Sequence, residues 1–282
     1  MMDNLLKMTP KKEDVRDIIF QNLAEKEVLA LIKAKESGVI CGIDEMRKIA
    51  QKIGLEVLTF VKDGDEIENG GIIASLKGKP KQIILSEDML IGLIAKPSGI
   101  ATAARKAVKL AGGKVTVVSG AWKKMPFQIK KIIRRALVVG GVEIRICKKP
   151  FVYLDKNYVR IFGGVEEAIK NIKNAKKFEN CLKVVQIRGE TGPIEVEAVK
   201  AVKNGANIVF VDTGNTADLE KVAKLLTENG LREKVKIAFG GSIKLEDIPK
   251  LCEKDVDILD VGRAIIDAPM LDISLDVVNL GG

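Results

Sequence analysis

The sequence predicts a two-part α/β protein, a small N-terminal α+β domain followed by an open or incomplete parallel β/α barrel. Three observations carry that expectation. Up to about residue 112, short strands are bracketed by tight turns; beyond Gly112-Gly113, apolar strands alternate with amphipathic helices; and the last two strands each run straight into glycine. The expected boundaries are residues 1–112 for the first domain and 113–269 for the barrel, with a tail over 270–282 packing back on the first domain.

From residue 14 to about 35 the apolar residues recur at helical spacing, and Gly38-Val39-Ile40-Cys41-Gly42 reads as a short strand bounded by glycines. A helix is expected over 43–52. Residues 55–61 then alternate apolar and polar as a half-buried strand does, and Asp63-Gly64-Asp65 and Glu68-Asn69-Gly70-Gly71 are turns flanking a strand near 72–76. A helical stretch over 86–110 leads to the double glycine. Past it, strands are expected at 115–119, 142–146, 151–154, 182–187, 208–211, 236–239 and 258–261, with helices at 165–176, 194–203, 217–228 and 245–253. Alternation at this spacing implies right-handed crossovers and a parallel sheet, and the number of strands suits a barrel better than a doubly wound sheet.

The chain has 282 residues, 46% of them hydrophobic, enough to bury a substantial core. No stretch is apolar for long enough to span a bilayer, and Met1-Met2-Asp3-Asn4 lacks the basic and apolar regions of a signal peptide, so a cytoplasmic protein is expected. The cysteines Cys41, Cys147, Cys181 and Cys252 are widely spaced, which favours small buried hydrophobes over a zinc knuckle or disulfide framework. A net charge of +9 is spread along the chain among acidic residues, and aromatic residues make up only 4%, so a nucleic-acid partner is not expected; anionic small molecules are compatible with it. There is no histidine. Any chemistry falls to carboxylates, Lys, Arg or a hard metal ion.

Three places carry candidate chemistry. Phe239-Gly240-Gly241-Ser242 and Val261-Gly262-Arg263 follow the last two strands, where glycines let backbone N–H groups approach a phosphate and Arg263 adds a charged contact; the same glycines also suit tight turns alone. Asp212 ends the strand Ile208-Val209-Phe210-Val211, at the face where barrel enzymes keep functional acids, although Asp equally suits a helix N-cap. Trp122 is the sole tryptophan and is either a stacking surface for a planar heterocycle or a packing residue.

These residues together resemble a known family. Ser98-Gly99-Ile100-Ala101-Thr102, Pro126, Gly140-Gly141 followed by Arg145, Val211-Asp212, Gly240-Gly241, Val261-Gly262, Ala268-Pro269 and Leu271-Asp272 are similar to quinolinate phosphoribosyltransferase, and Ala34 to Gly42 with Asp63-Gly64-Asp65 fit that family's small domain. The resemblance implies a homodimer or higher homo-oligomer with active sites shared between subunits. It also implies a small phosphorylated ligand and Mg²⁺ organised by Asp212. Lys123 and Arg145 stabilise the negative charge of departing pyrophosphate in that reading, and Gly240, Gly241, Gly262 and Arg263 hold phosphate.

Several positions depart from the family pattern. The Arg expected after Glu87 is Asp88, and the Asp-Thr-Arg-Lys-Thr segment becomes Gly120-Ala121-Trp122-Lys123-Lys124, keeping the Lys and losing the Arg. His-Arg becomes Ile144-Arg145, Lys-Asp-Asn-His becomes Asp155-Lys156-Asn157-Tyr158, and Glu-Val-Glu becomes Gln186-Ile187-Arg188. If Asp88, Trp122 and Asp155 line the substrate pocket, two cations have become anions there. At about 6 Å, unit charges interact by roughly 3 kcal/mol at an effective dielectric near 20, so a dicarboxylate would be repelled. The sequence therefore predicts a divergent phosphoribosyltransferase with a second substrate other than quinolinate; the alternatives are a ligand-binding paralogue without catalysis and a genuine quinolinate phosphoribosyltransferase.

Overall fold

The computed structural model describes residues 14–173 and 175–280, so the Met1-Met2-Asp3-Asn4 start lies outside the described residues. The chain forms two compact units, residues 1–98 with 270–282, and residues 99–269. The division falls inside one long helix rather than at Gly112-Gly113, because the apolar helix from Pro80 continues unbroken to Ala111.

In the first unit a short helix α1 (Val15–Ile19) precedes strand β1 (Val28–Ala34). The helix expected up to residue 35 is thus mostly strand. In Val-Leu-Ala-Leu-Ile-Lys-Ala, Val28, Ala30, Ile32 and Ala34 are buried while Leu29 is exposed, so period two wins once both edges of β1 find antiparallel partners. The remaining elements are β2 (Gly38–Val39), α2 (Ile43–Lys52), β3 (Glu56–Thr59), β4 (Glu66–Ile67), β5 (Ile72–Gly78) and the start of α3 (Pro80–Ala111). The tail contributes β12 (Ile273–Leu280), which pairs with β1 and completes a sheet of order β12-β1-β5-β3. Ile32, Met46, Ile73, Leu76, Leu90 and Leu271 share its core. One glycine is sterically required there. Pro97 cannot donate to the Leu93 carbonyl, and a Cβ on Gly42, at φ 109°, would lie 2.1 Å from that oxygen.

The second unit holds six parallel strands: β6 (Thr116–Val118), β7 (Phe151–Leu154), β8 (Leu182–Ile187), β9 (Ile208–Asp212), β10 (Lys236–Gly240) and β11 (Ile258–Asp260), in the order β6-β11-β10-β9-β8-β7. Side chains from all six converge on one cluster that includes Val118, Tyr153, Val184, Phe210, Ala238 and Ile258, as a sheet curled on itself requires. Val117, Val185, Val209, Ile237 and Leu259 alternate with them and are buried on the other face. The barrel is open between β6 and β7. The strand expected at 142–146 is a single bridge from Glu143 to Val118, since Arg145 to Pro150 run on without a ladder.

Helices between the strands are α4 (Phe127–Gly140), α5 (Lys156–Ile161), α6 (Val165–Lys173), α7 (Ile194–Lys203), α8 (Thr216–Glu228), α9 (Ile248–Leu251) and α10 (Arg263–Ile266). The helix expected over 245–253 is a 3-10 turn followed by the short α9, with Pro249 near its start. Among the described residues no helix is long and apolar enough to cross a membrane. None of the four cysteines forms a disulfide among the described residues; Cys41 is buried, but Cys147, Cys181 and Cys252 are only partly so.

Candidate active site

Strand periodicity builds the site. With Val118, Tyr153, Val184, Phe210, Ala238 and Ile258 inside the barrel, the residues two places further on also face inward at the C-terminal rim. They are Gly120, Asp155, Gln186, Asp212, Gly240 and Asp260. Hydrogen bonds tie neighbouring members of this ring. The Gly120 amide donates to Asp260 Oδ1 at 2.9 Å, the Lys156 amide to Gln186 Oε1 at 2.7 Å, and Gln186 Nε2 to Asp212 Oδ2.

A cavity of about 330 Å³ opens beside β6 and β7, and its walls pair cations with rings. Lys123 Nζ lies 5.2 Å from the Tyr153 ring centre, the Arg134 guanidinium 4.9 Å from that of Trp122, and the Arg145 guanidinium 5.2 Å from that of Phe151. Trp122 Nε1 donates to the Ile144 carbonyl at 3.2 Å, fixing the indole in the wall. Asp260 is the carboxyl of this cavity. Burial raises its pKa above the ordinary aspartate value, and the nearby Asp212 adds to that; the Gly120 amide, Lys123 and Lys124 pull the other way. Burial likewise raises the Tyr153 phenol, reinforced by Asp260, Asp212 and Asp155.

The expected site residues divide into three groups. Lys123, Arg145 and Trp122 meet in the cavity. Asp212 stands on the same rim, in a separate network with Gln186 and Arg188. Asp88 and Asp155, expected in the substrate pocket, each have a local partner within their own unit. Asp88 belongs to the first unit, where its side chain is 68% exposed and pairs with Arg16 at 3.0 Å. Asp155 caps α5, accepting from the Asn157 and Tyr158 amides at 2.8 and 3.3 Å, so its carboxylate serves the backbone.

The glycine loops have packing reasons of their own. A Cβ on Gly240 would lie 2.8 Å from the Phe210 ring, and one on Gly241, at φ 110°, would lie 2.5 Å from the Gly214 nitrogen. Gly262 precedes α10, where a Cβ would meet Ala121 at 3.3 Å. Arg263 points away into solvent, 89% exposed, and pairs with Asp267 one turn along at 3.1 Å.

The sequence reading missed Arg134, Tyr153 and Asp260 as site residues. Period two in Ile258-Leu259-Asp260 was a usable signal for the last, whereas Arg134 reaches the cavity from α4, a helix the reading did not include. It also missed Glu197, a buried carboxylate on α7. Glu197 accepts from the Gly189 amide at 2.8 Å, from the Thr191 amide and hydroxyl at 2.7 Å each, and more weakly from the Arg188 amide at 3.4 Å. It pins the loop that carries Arg188, and Arg188 Nη1 reaches Asp212 Oδ2 at 2.8 Å.

That network bears on the magnesium ion the resemblance implies. Mg²⁺ demands octahedral oxygen ligands and is repelled by a fixed cation. Here Asp212 Oδ2 is taken by an amide and a guanidinium, and Gln186 spends its one side-chain oxygen on the Lys156 amide. Mg²⁺ at a phosphate site needs one or two carboxylates beside the ligand's own oxygens, and Asp212 is paired with Arg188. The donor set does not fit the ion.

The chain matches known proteins along most of its length. Residues 17–98 match the family described as quinolinate phosphoribosyl transferase, N-terminal domain, and residues 100–276 match its C-terminal domain. A probable nicotinate-nucleotide pyrophosphorylase [carboxylating] of Archaeoglobus fulgidus is 31% identical over 256 residues, covering 90% of this chain and 96% of the relative. The human nicotinate-nucleotide pyrophosphorylase [carboxylating] is 28% identical over 249 residues, covering 87% and 81%. The fold agrees with that of the nicotinate-nucleotide pyrophosphorylase from Francisella tularensis, at TM-score 0.80 and 22% identity over 98% of this chain and 94% of that one. With both domains matched in order, the chain belongs to the quinolinate phosphoribosyltransferase family.

Proposed function

We propose that this protein is a nicotinate-nucleotide pyrophosphorylase, joining the ribose of phosphoribosyl pyrophosphate to the ring nitrogen of quinolinate. The observation that carries the reading is the cavity at the barrel rim, where Lys123, Arg134 and Arg145 stand over aromatic walls. A planar dianion needs such a place: flat apolar surface for its ring and charge-assisted donors for its carboxylates. About 330 Å³ is at the small end of ligand pockets and suits a single six-membered ring with two substituents. The names of the relatives point the same way.

This reading revises the expectation of a changed second substrate. That expectation rested on Asp88 and Asp155 repelling a dicarboxylate; Asp88 is countered by Arg16 and Asp155 by the Asn157 and Tyr158 amides that it caps. The cations of the cavity remain. In the proposed reaction the C1–O bond to pyrophosphate breaks as the ring nitrogen bonds C1, and the carboxyl beside the nitrogen leaves as carbon dioxide, its carbon taking up a proton. Lys123 and Arg145 hold and orient the substrate anions, Trp122 and Tyr153 confine the ring and exclude water, and the Gly241 and Gly262 loops receive phosphate. The same proposal includes a homodimer in the cytoplasm, to be checked by light scattering in solution.

The test is turnover. Quinolinate and phosphoribosyl pyrophosphate, supplied with and without magnesium, should yield nicotinate mononucleotide and pyrophosphate. A second reading has one observation behind it: Asp260 adds a carboxyl to the cavity, which suits a ring bearing a hydrogen-bond donor in place of one carboxylate. Faster turnover of a pyridine amide than of quinolinate would favour that reading. Binding without turnover of either would favour the non-catalytic paralogue.

A further inference from the structure

The disagreement between Asp212 and a magnesium ion leads to a specific assignment. We infer that Arg188 is the resident counter-cation of Asp212, so that this protein binds the diphosphate group of its ligand as a free anion and not as a magnesium complex. The inference rests on the proposed phosphoribosyl transfer, whose diphosphate must be received at this rim.

Three features support it. First, Arg188 Nη1 contacts Asp212 Oδ2 at 2.8 Å, with the two side chains 36% and 25% exposed, so the guanidinium stands at the carboxylate oxygen with one side open. Second, the contact is built in. Glu197 holds the backbone of Arg188, Gly189 and Thr191 from inside the unit, and Glu190 lies 3.7 Å from Arg188 Nε while gripping Arg160 through two bonds of 2.6 Å. Swinging the Arg188 side chain aside for a divalent ion would give up its contacts to Asp212 and Glu190, while the backbone beneath it stays fixed. Third, the adjacent rim positions offer no substitute ligands. Gln186 turns its amide nitrogen toward Asp212, Gly240 has no side chain, and Asp260 is directed to the Gly120 amide.

A guanidinium suits the task. It carries a permanent charge and a planar set of donors matched to phosphate oxygens, so one edge can rest on Asp212 while another meets the ligand. Magnesium instead needs one or two carboxylates beside the ligand's phosphates, and at this rim Asp212 Oδ2 already receives Arg188 and Gln186.

Calorimetry with inorganic pyrophosphate tests the assignment without any second substrate. The wild-type protein should bind pyrophosphate no more than about threefold more weakly in EDTA than in magnesium. Arg188→Lys should keep that independence, because the charge persists. Arg188→Gln frees Asp212 and should make binding at least tenfold weaker in EDTA than in magnesium, and Mn²⁺ alone should then lose its free-ion electron paramagnetic resonance signal in the variant but not in the wild type. Tenfold or greater loss of wild-type binding on chelation would overturn the assignment while leaving the diphosphate site intact. No binding in either buffer would remove the diphosphate site itself, and this assignment with it.

Discussion

The two arcs of the barrel rim handle charge in opposite ways. Along β8 and β9, Gln186, Arg188 and Asp212 satisfy one another, and Glu197 locks their loop from beneath. Along β6 and β7, Lys123, Arg134 and Arg145 rest over aromatic rings, a weak embrace worth about 0.5–2 kcal/mol that leaves their donors to a ligand. The first arc is pre-paired and the second is available. In the proposed reading the open arc takes the ring and its carboxylates, while on the paired arc Arg188 rests one edge on Asp212 and offers another to the diphosphate.

The contrast breaks most severely at Glu197. Glu197→Ala strands amide and hydroxyl donors that are otherwise satisfied, and should cost about 3 kcal/mol of stability in chemical denaturation. A loss under about 1 kcal/mol would mean that the loop is held by something else. On the open arc, Arg145→Ala should leave stability nearly unchanged while weakening quinolinate binding by about 2 kcal/mol, close to thirtyfold. An unchanged Kd by calorimetry would remove Arg145 from recognition.

Asp260 lies between the arcs and gives a pH signature. Its pKa is raised in the folded chain, chiefly by burial, so the native state holds this proton more tightly than the unfolded state does. The associated stability is complete below the unfolded aspartate value of 3.8 and is lost as pH rises through the folded value. Asp260→Asn stays neutral and keeps an oxygen for the Gly120 amide, so its advantage in Tm over the wild type should be greatest at neutral pH and shrink as pH falls toward 3.8. A constant difference across that range would contradict the assignment. The smallest effect is expected at Arg263. Its exposed pairing with Asp267 is worth about 0.3–0.5 kcal/mol, so Arg263→Ala should leave both Tm and pyrophosphate affinity within error.

Much of the architecture was legible because period is a strong signal. Residues 182–187 and 194–203 alternate and repeat so clearly that strand and helix match their expected spans. The 28–34 segment misled because almost every residue in it is apolar, and only the pairing with β5 and β12 decides for a strand. At the site, Lys123 and Arg145 were legible only through the family resemblance, and Trp122 only as a residue that either stacks on a ligand or packs. Asp155 was not legible, since a carboxylate ahead of a short helix is read equally as ligand or cap, and its bonds to the Asn157 and Tyr158 amides choose the cap. Glu197 was hidden for another reason: within a helix it resembles any surface acid, and its role appears only when the 188–191 loop folds over it.

The most direct test of the function is a single assay in which purified protein is mixed with quinolinate and phosphoribosyl pyrophosphate, and nicotinate mononucleotide is quantified by chromatography. The account predicts its accumulation, strongly reduced in Arg145→Ala. Absence of product from protein shown by calorimetry to bind pyrophosphate would contradict it.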